Sequence, residues 1–365
     1  ELEVLIFMRS VYQGEVLSGY KHPEVKKELD IYLPEIGIGF EYNGSYWHSD
    51  KFLQPKAHLE KQQAYQEVGI QVYFLDESDW LNSSKRPILQ ARIKYLLGKI
   101  DKKIYARQTK IVTPTVIQEK EFLKRNHLQG YAISSYRVGL EYEGNLVAIL
   151  TCVKPRTTTN STHQNHTMEL LRYSTSIEST VVGGFSKLLK VVRKDLPRLY
   201  TGVTTLVTYC DKSLSTGNLY TRGGFQFLRE ADPSYYYVLK GVKYNRYSFR
   251  KSVLEEKFPE YYKKELSERE ILNEVPNLHR VWNVGNYVYE LNLLEPVQPM
   301  EVKDSHRKFL PDKVSFQEHL ESLVGHTLPE GSSLDTLLEQ EDGSQLTVQQ
   351  ELLSLYMGDS YQENL

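Results

Sequence analysis

Two neighbouring apolar segments, residues 27–33 and 36–42, carry acidic side chains that a buried β-strand tolerates only when they are compensated. Both segments are rich in β-branched and aromatic residues and are bounded by turn residues, so they predict a β-hairpin. Asp30 lies on the first strand. Glu41 and Asn43 lie two residues apart at the end of the second strand, on one face of it. Because a divalent metal ion commonly compensates such carboxylates, the hairpin predicts a metal site.

His48 follows the hairpin closely enough to act as a general base or acid on a metal-bound water. A cation held by Asp30 and Glu41 would polarise a phosphate and acidify that water. Each residue alone has a structural alternative, because an aspartate beside a strand is more often a turn or cap residue and a Trp-His pair after glycine usually packs. The combination, with Asn43, favours a hydrolytic site over coincidence.

The run from Glu28 to Asp50, ELDIYLPEIGIGFEYNGSYWHSD, resembles the Vsr-like (EDxHD-type) branch of the PD-(D/E)XK nuclease superfamily. It is most similar to the phage and intron-associated homing endonucleases of that branch. The resemblance continues to Asp79-Trp80 and covers roughly residues 1–100. It implies hydrolysis of DNA phosphodiester bonds with Mg²⁺ or Mn²⁺ as the cofactor.

The resemblance also assigns roles by position. Asp30 would be the central metal ligand with Glu41 beside it, and His48 would be the catalytic histidine. Glu3 would be the helix glutamate that contacts metal-bound water.

Two departures from the nuclease pattern stand out. Asn43 lies where the superfamily places a lysine, and we expect Lys61 on the following helix to supply the missing positive charge. Vsr repair enzymes also carry a structural zinc site, whereas this chain has only Cys152 and Cys210 and no CxxC pair. No zinc and no mismatch-repair role are therefore expected.

A second segment, residues 168–195, is predicted as a strand, two glycines and a helix. Glycines at such a turn let backbone N–H groups face an anion, and the helix N-terminus adds its dipole. Together with Asn218–Phe225, the pattern resembles the GNAT acyltransferase fold over about residues 117–240, in particular the GNAT-like domains attached to phage homing endonucleases. The acyl-CoA loop of true acetyltransferases usually reads Gln/Arg-x-x-Gly-x-Gly/Ala, and residues 179–182, Ser-Thr-Val-Val, depart from it.

DNA backbone is the expected ligand of this turn. Residues 244–251 interleave cations with aromatic residues and are a second candidate, although an ordinary connection with solvated cations is the alternative. The polar loop at residues 155–166 is predicted to be mobile or to face DNA. The predicted DNA-binding residues are Gly183, Gly184, Ser186, Lys187, Arg246, Arg250 and Lys251.

Charge is unevenly distributed along the chain. Residues 1–294 hold 41 Lys and Arg against 33 Asp and Glu, whereas residues 295–365 hold 4 against 14. A basic body with many tyrosines suits a nucleic-acid partner, although a charged surface on a soluble protein is the alternative. The acidic tail is predicted to be a solubilising extension, with docking on the body or recruitment of a protein partner as alternatives.

These features predict a mixed α/β protein in three parts. They are a Vsr-like PD-(D/E)XK nuclease core at residues 1–110, a GNAT-like, DNA-binding domain at 111–294, and an acidic extension with short helices at 295–365. No apolar segment approaches the ~20 residues that span a bilayer, so no membrane association is expected. The expected location is the cytoplasm of a host cell, with the gene carried by a phage or mobile element.

The sequence thus predicts a metal-dependent, site-specific endonuclease that acts on double-stranded DNA, a homing endonuclease by type. Cutting both strands with one site per chain would require a homodimer or two successive nicks. Two alternatives remain open. One is an acyl-CoA-dependent GNAT acyltransferase, and the other is a DNA-binding protein without catalytic activity.

Overall fold

The computed structural model describes residues 1–100, 102–154 and 166–295, together with the backbone of residues 337–339 and 345–347. The chain divides into two compact units, Glu1–Met300 and Glu301–Leu365. The predicted loop at 155–165 and the predicted helices of the tail lie outside the described residues. The predicted boundary between residues 110 and 111 stays a prediction.

The first part of unit one is a four-stranded sheet with helices packed on it. Its elements are α1 (Leu2–Val11), β1 (Leu17–Tyr20), β2 (Leu29–Leu33), β3 (Ile38–Asn43), α2 (Ala57–Glu67), β4 (Gln71–Asp76), α3 (Glu77–Trp80) and α4 (Arg86–Leu96). The strand order is β1-β2-β3-β4. Strands β2 and β3 pair antiparallel, as the hairpin prediction requires, and β4 joins β3 in parallel after the α2 crossover.

The first helix ends earlier than the sequence pattern predicts. The pattern predicts a helix within residues 1–20 that Gly14 ends, but α1 ends at Val11 and β1 follows as the edge strand, paired antiparallel with β2. The intervening turn is held by the carboxylate of Glu35, which accepts hydrogen bonds from Tyr12 Oη at 2.7 Å and from the N–H of Glu15 at 2.9 Å. These contacts join residues that lie 20 and 23 positions apart in sequence, so local periodicity carries no signal for them.

The second part of unit one is built on a seven-stranded sheet. Its elements are β5 (Lys103–Tyr105), β6 (Lys110–Val112), α5 (Val116–Asn126), β7 (Tyr136–Tyr142), β8 (Asn145–Val153), β9 (Thr167–Thr175), β10 (Thr180–Val182), α6 (Gly184–Leu199), β11 (Thr205–Asp211), α7 (Asn218–Arg222), β12 (Gln226–Ala231), β13 (Tyr235–Leu239), β14 (Val242–Asn245), α8 (Lys251–Lys257), α9 (Glu268–Glu274), β15 (Leu278–Trp282) and β16 (Asn286–Asn292). The large sheet has the order β12-β16-β11-β9-β8-β7-β6.

Two features of this sheet bear on function. Strands β9 and β11 are parallel and pair only from Thr167↔Thr205 to Leu170↔Thr208. Helix α6 covers the sheet with buried residues at helical spacing, including Phe185, Leu188 and Val192. A separate parallel pair joins β10 to β5, so the chain just before the sheet lies beside the start of α6.

Residues 235–282 form an insertion between β12 and β16 that the sequence pattern largely missed. Only a strand at residues 234–240 was predicted there. Strands β13, β14 and β15 form their own antiparallel sheet, and one face packs on α8 and α9 around Tyr237 and Phe249. Because side chains alternate along a strand, Tyr236 points to the opposite face.

In the second unit, the described backbone contains two short antiparallel strands, β17 (Leu337–Glu339) and β18 (Gln345–Thr347). Within the described parts of the chain, no helix is long and apolar enough to cross a membrane.

Candidate functional site

The predicted polar cluster does come together at the end of the N-terminal sheet. Glu41 is buried, and its Oε2 lies 2.5 Å from Lys61 Nζ. Glu41 Oε1 accepts a hydrogen bond from the N–H of Asp30 at 3.2 Å. Asp30 Oδ2 in turn accepts one from the N–H of Tyr42 at 2.6 Å. The two acids therefore face each other across the hairpin, and α2 supplies the cation that compensates Glu41.

Burial displaces the pKa of three groups in this cluster. It raises the pKa of Glu41 to about 7, although Lys61 beside it acts in the opposite direction. Burial also lowers the pKa of His48, against the effect of the Asp30 carboxylate. His58 stacks on His48 with ring centroids 5.2 Å apart, and burial and this neighbour lower its pKa to about 4. Both histidines are therefore largely neutral at pH 7.

A second network joins this cluster to the insertion. Asn43 Nδ2 donates to Asp76 Oδ1 at 3.3 Å. Lys243, on β14, donates to Asp76 Oδ2 at 2.5 Å and to Asp79 Oδ2 at 3.0 Å. Burial raises the pKa of Asp76, but Lys243 outweighs it and leaves that pKa below its usual value. Burial lowers the pKa of Lys243, and the two carboxylates more than reverse this. Asp76 and Lys243 are thus held in their charged forms.

Three buried polar atoms around these networks have no hydrogen-bond partner among the described residues. They are Asn43 Oδ1, His48 Nδ1 and His58 Nε2. Buried polar groups are usually paired, so three orphans close together mark a polar interior that the protein's own contacts do not fully satisfy.

Glu3 stands apart from this cluster. Its Oε2 accepts from Trp80 Nε1 at 3.1 Å and pairs with Arg86 Nη2 at 3.2 Å. These contacts fix α1 to α3 and α4, and the predicted contact with a metal-bound water beside Asp30 gains no support from them.

The metal prediction is wrong for the described part of the chain. None of its groups of three or more His, Cys, Asp or Glu side chains is arranged to hold a metal ion. The physical reason lies in the hairpin itself, where Lys61 already neutralises Glu41 and backbone N–H groups occupy oxygens of both Glu41 and Asp30. Asp30 and Glu41 are therefore not assigned as ligands of Mg²⁺ or Mn²⁺.

The turn before α6, predicted to cradle phosphate, is filled by the chain's own atoms. Gly183 has a φ of +75°, in the left-handed region that favours glycine. A Cβ on Gly184 would lie 2.9 Å from Val181 Cγ1 and 3.2 Å from Tyr173 Oη. Gly184 therefore admits protein side chains rather than a ligand. Ser186 remains exposed on the first turn.

Residues 103–109 cover the same turn from outside. The N–H of Thr180 donates to Lys102 O at 2.9 Å, which starts the β10–β5 pairing. Lys187 Nζ donates to Ala106 O at 2.8 Å and to Thr109 O at 2.5 Å. This arrangement does not fit the pyrophosphate of acyl-CoA. It also corrects the prediction that Lys187 contacts DNA, because its ammonium group is used inside the protein.

Aromatic residues and cations from two distant segments come into contact, and we call this group of residues the aromatic-basic strip. From the N-terminal part, Tyr46, Trp47 and Phe52 form a cluster with centroids 5.0 to 5.1 Å apart, and Lys51 lies in the same loop. The cluster continues to the insertion, where His279 lies 5.5 Å from Tyr46. The strip consists of Tyr46, Trp47, Lys51, Phe52, Tyr235, Arg246, Tyr247, Arg269, His279 and Arg280.

Arginine–aromatic contacts extend the strip across the insertion. Arg280 and Arg246 both lie over the ring of Tyr235, at 5.2 and 6.0 Å. Arg246 also lies 4.8 Å from the ring of Tyr247, which is 61% exposed. Of the other predicted contacts, Arg250 is exposed at the start of α8, whereas Lys251 Nζ donates to Lys264 O at 2.8 Å.

Sequence reasoning missed Lys243, Asp76 and Arg280. Lys243 and Arg280 act within an insertion that has no recognisable motif, and their partners lie 164 to 230 residues away in the chain. One signal was available. Asp76 and Asp79 follow an apolar strand directly, the same pattern that drew attention to Asp30 and Glu41.

No protein-family model and no curated protein matches the chain. Among solved structures, it is similar to the ribosomal-protein-S18-alanine N-acetyltransferase from Escherichia coli, with 13% identity, 53% of this chain and 99% of that chain covered, and a TM-score of 0.30. A putative acetyltransferase from Salmonella typhimurium with acetyl-CoA gives 14% identity, 53% and 98% coverage, and a TM-score of 0.31. A GNAT family acetyltransferase from Elizabethkingia anophelis with acetyl-CoA is 15% identical, with 51% of this chain and 98% of that chain covered and a TM-score of 0.29.

The protein therefore has a mixed α/β fold whose structural neighbours are GNAT acetyltransferases. The expected Vsr-like nuclease core gains no support from these neighbours. The main functional prediction, a Mg²⁺-dependent homing endonuclease, is wrong by the same comparison, because the neighbours are transferases rather than nucleases or other hydrolases. Two of these structures contain acetyl-CoA.

Proposed function

We propose that the protein binds double-stranded DNA through the aromatic-basic strip and does not depend on a catalytic site to do so. The observation that carries this proposal is the contact between two segments, residues 46–52 and 235–280, that are both rich in cations and aromatic rings. Local sequence does not produce that convergence. It arises because the insertion docks on the N-terminal sheet through Lys243, Asp76 and Asp79.

The chemistry of the strip suits DNA in two ways. Arginine and lysine side chains neutralise backbone phosphates and release counterions, which supplies most of the affinity for duplex DNA. Trp47 is 68% exposed and Phe52 48% exposed, and large exposed apolar rings that touch one another usually mark a binding surface. Such rings pack on sugars or wedge between base steps.

The test is equilibrium binding of a fluorescein-labelled duplex by the full chain in EDTA, followed by fluorescence anisotropy at several salt concentrations. We expect the double variant Trp47→Ala/Arg246→Gln to weaken binding by about tenfold or more, since one ring and one phosphate contact are lost. The matched control is Lys120→Gln/Lys124→Gln, two exposed cations of α5 outside the strip. Equal affinity of the strip variant and the control variant would reject the proposal.

Acyl transfer is the competing function. One feature favours it, because the parallel strands β9 and β11 stop pairing after Leu170 and Thr208 and the Tyr220 hydroxyl, whose pKa burial raises to about 12, lies beside this point. The filled turn at Gly184 opposes it, and similarity at a TM-score near 0.3 does not carry the activity of the neighbours over to this chain. Calorimetric titration with acetyl-CoA separates the two, and we expect no saturable binding.

A further inference from the structure

A cavity of about 320 Å³ opens between the loop at residues 50–51 and the insertion. Its polar lining consists of Asp50, Lys51, Tyr237, Arg269, Asn273 and Arg280. Three cations thus face one carboxylate, so the cavity has an excess of positive charge. A cavity of this volume with a net positive lining suits a small anionic group.

Arg280 is the fixed part of this cavity. Its side chain is only 14% exposed, and its guanidinium group lies 5.2 Å from the ring of Tyr235 and 5.5 Å from that of Trp282. One edge pairs with Asp50, and Nε is buried without a hydrogen-bond partner in the described part of the chain. A buried guanidinium group that packs against two adjoining rings, with one N–H unpaired among the described residues, is pre-organised for a further acceptor.

Arg269 is the solvent-exposed part of this cavity. Its side chain is 67% exposed and its Nη2 lies 3.7 Å from Asp50 Oδ2, at the outer limit of an ion pair. Lys51 is exposed at the rim. Within the described ranges, Asp50 is therefore the carboxylate that pairs with both arginines, in the place where an incoming anion would meet the same donors.

We propose that this cavity binds a phosphate group, with Arg280 and Arg269 as forked donors, Lys51 as the third cation and the Asp50 carboxylate as the internal competitor. The proposal rests on the proposed function in that the phosphate is one of the DNA backbone. The same chemistry would accept inorganic phosphate or the phosphate of a free nucleotide, and the experiment separates these sources.

The experiment combines two titrations of the full chain. Duplex binding is measured over a range of salt for the wild type and for Arg269→Gln, Lys51→Gln and Asp50→Asn, with Lys120→Gln as the control. Binding of inorganic phosphate and of a nucleoside 5′-monophosphate is measured by calorimetry on the same proteins. Circular dichroism confirms that each variant is folded. Arg280 is left intact because its removal would leave Asp50 without its closest partner.

We expect Arg269→Gln and Lys51→Gln each to reduce the slope of log affinity against log salt by about 1, and Asp50→Asn to tighten binding. If the wild type binds duplex and these variants match Lys120→Gln, the cavity proposal is overturned and the proposed function stands. If the wild type does not bind duplex DNA but binds phosphate or nucleotide, and Arg269→Gln weakens that binding, the proposed function is overturned and the cavity binds free phosphate. Failure of both titrations overturns both.

Discussion

The polar cluster of β2–β3 and the turn before α6 were both predicted as ligand sites, and the structure treats them differently. In the polar cluster, ionisable side chains with displaced pKa values meet, and three buried polar atoms have no hydrogen-bond partner among the described residues. In the second, the groups expected to hold an anion are used by the protein. Lys187 caps carbonyl oxygens, and Gly184 makes room for Val181 and Tyr173.

The difference shows what a motif can and cannot predict. Glycine at a strand-to-helix turn predicts a close approach, but the approaching atoms can belong to the same chain. Acids on apolar strands predict a compensating cation, and here two lysines compensate them, Lys61 locally and Lys243 from the insertion. Residue type therefore predicted that the glycines admit a close contact and that the acids require a cation. Only tertiary contacts decided which atoms make that contact and which lysines supply the charge.

The largest expected effect concerns the network that docks the insertion. Lys243→Met would leave the partly buried carboxylate of Asp76 without its cation, whereas Asp79 keeps its ion pair with Lys85 at 2.6 Å. Loss of such a partner typically lowers the free energy of unfolding by about 3 kcal/mol. Urea denaturation at pH 7 measures this, with Lys263→Met on the exposed surface as the control. A loss no larger than that of the control would show that the network does not hold the insertion in place.

The same network predicts a pH dependence. Because Lys243 keeps the pKa of Asp76 below its usual value, the stability it contributes is present above the unfolded pKa of Asp and is lost as pH falls through the folded value. Lys243→Met should remove that acid sensitivity. If the stability of the variant still falls as much as that of the wild type when the pH is lowered, the ion pair is not the cause of the acid sensitivity.

The polar cluster predicts two opposite pH effects of similar size. The folded pKa of Glu41 lies near 7, above the unfolded value, so its contribution to stability falls by about 3 kcal/mol as pH rises from 4.5 to 7. The folded pKa of His58 lies near 4, below the unfolded value, so stability falls by about 3 kcal/mol as pH drops from 6.5 to 4.

In the wild type these two slopes largely cancel between pH 4.5 and 6.5. Glu41→Gln should leave a protein that loses stability on acidification, and His58→Gln one that loses stability as pH rises towards 7. Urea denaturation at pH 5 and pH 7 compares both variants with the wild type. Equal slopes in the two variants would show that burial does not set these pKa values.

The filled turn predicts an intermediate effect. Gly184→Ala would place a Cβ 2.9 Å from Val181 Cγ1, and such overpacking costs about 1–3 kcal/mol of unfolding free energy. Gly44→Ala is the matched control, since a Cβ there meets no atom within 4 Å. If the α6 turn instead opens to receive a ligand, the two substitutions will be equally tolerated in thermal melts.

The smallest expected change in stability, that of Lys187→Met, tests most directly whether the turn before α6 contacts DNA. Lys187→Met would remove hydrogen bonds to Ala106 O and Thr109 O and lower stability by about 1 kcal/mol, while duplex affinity stays at the wild-type value. Arg246→Gln should do the reverse, with unchanged stability and weaker binding. Loss of duplex affinity in Lys187→Met would restore the turn as a DNA contact.

The sequence predicted the local elements of the fold well where hydrophobic periodicity was strong. The hairpin of β2 and β3 and the strand–glycine–helix order that leads into α6 appear where they were expected. Lys61, expected to supply the positive charge that Asn43 lacks, lies on the helix after the hairpin and pairs with Glu41. The insertion was missed because its sheet joins β13 to β15 across about forty residues without a repeat or motif. The docking of Lys243 on Asp76 spans 167 residues, beyond the reach of any local pattern.

The most direct test of the central claim is hydrogen exchange of the full chain, followed by mass spectrometry, with and without duplex DNA. The account predicts added protection in residues 46–53, 244–251 and 269–280, which carry the aromatic-basic strip, and no change in residues 103–109 and 183–187. Protection confined to the turn before α6, or no protection at saturating duplex, would contradict it.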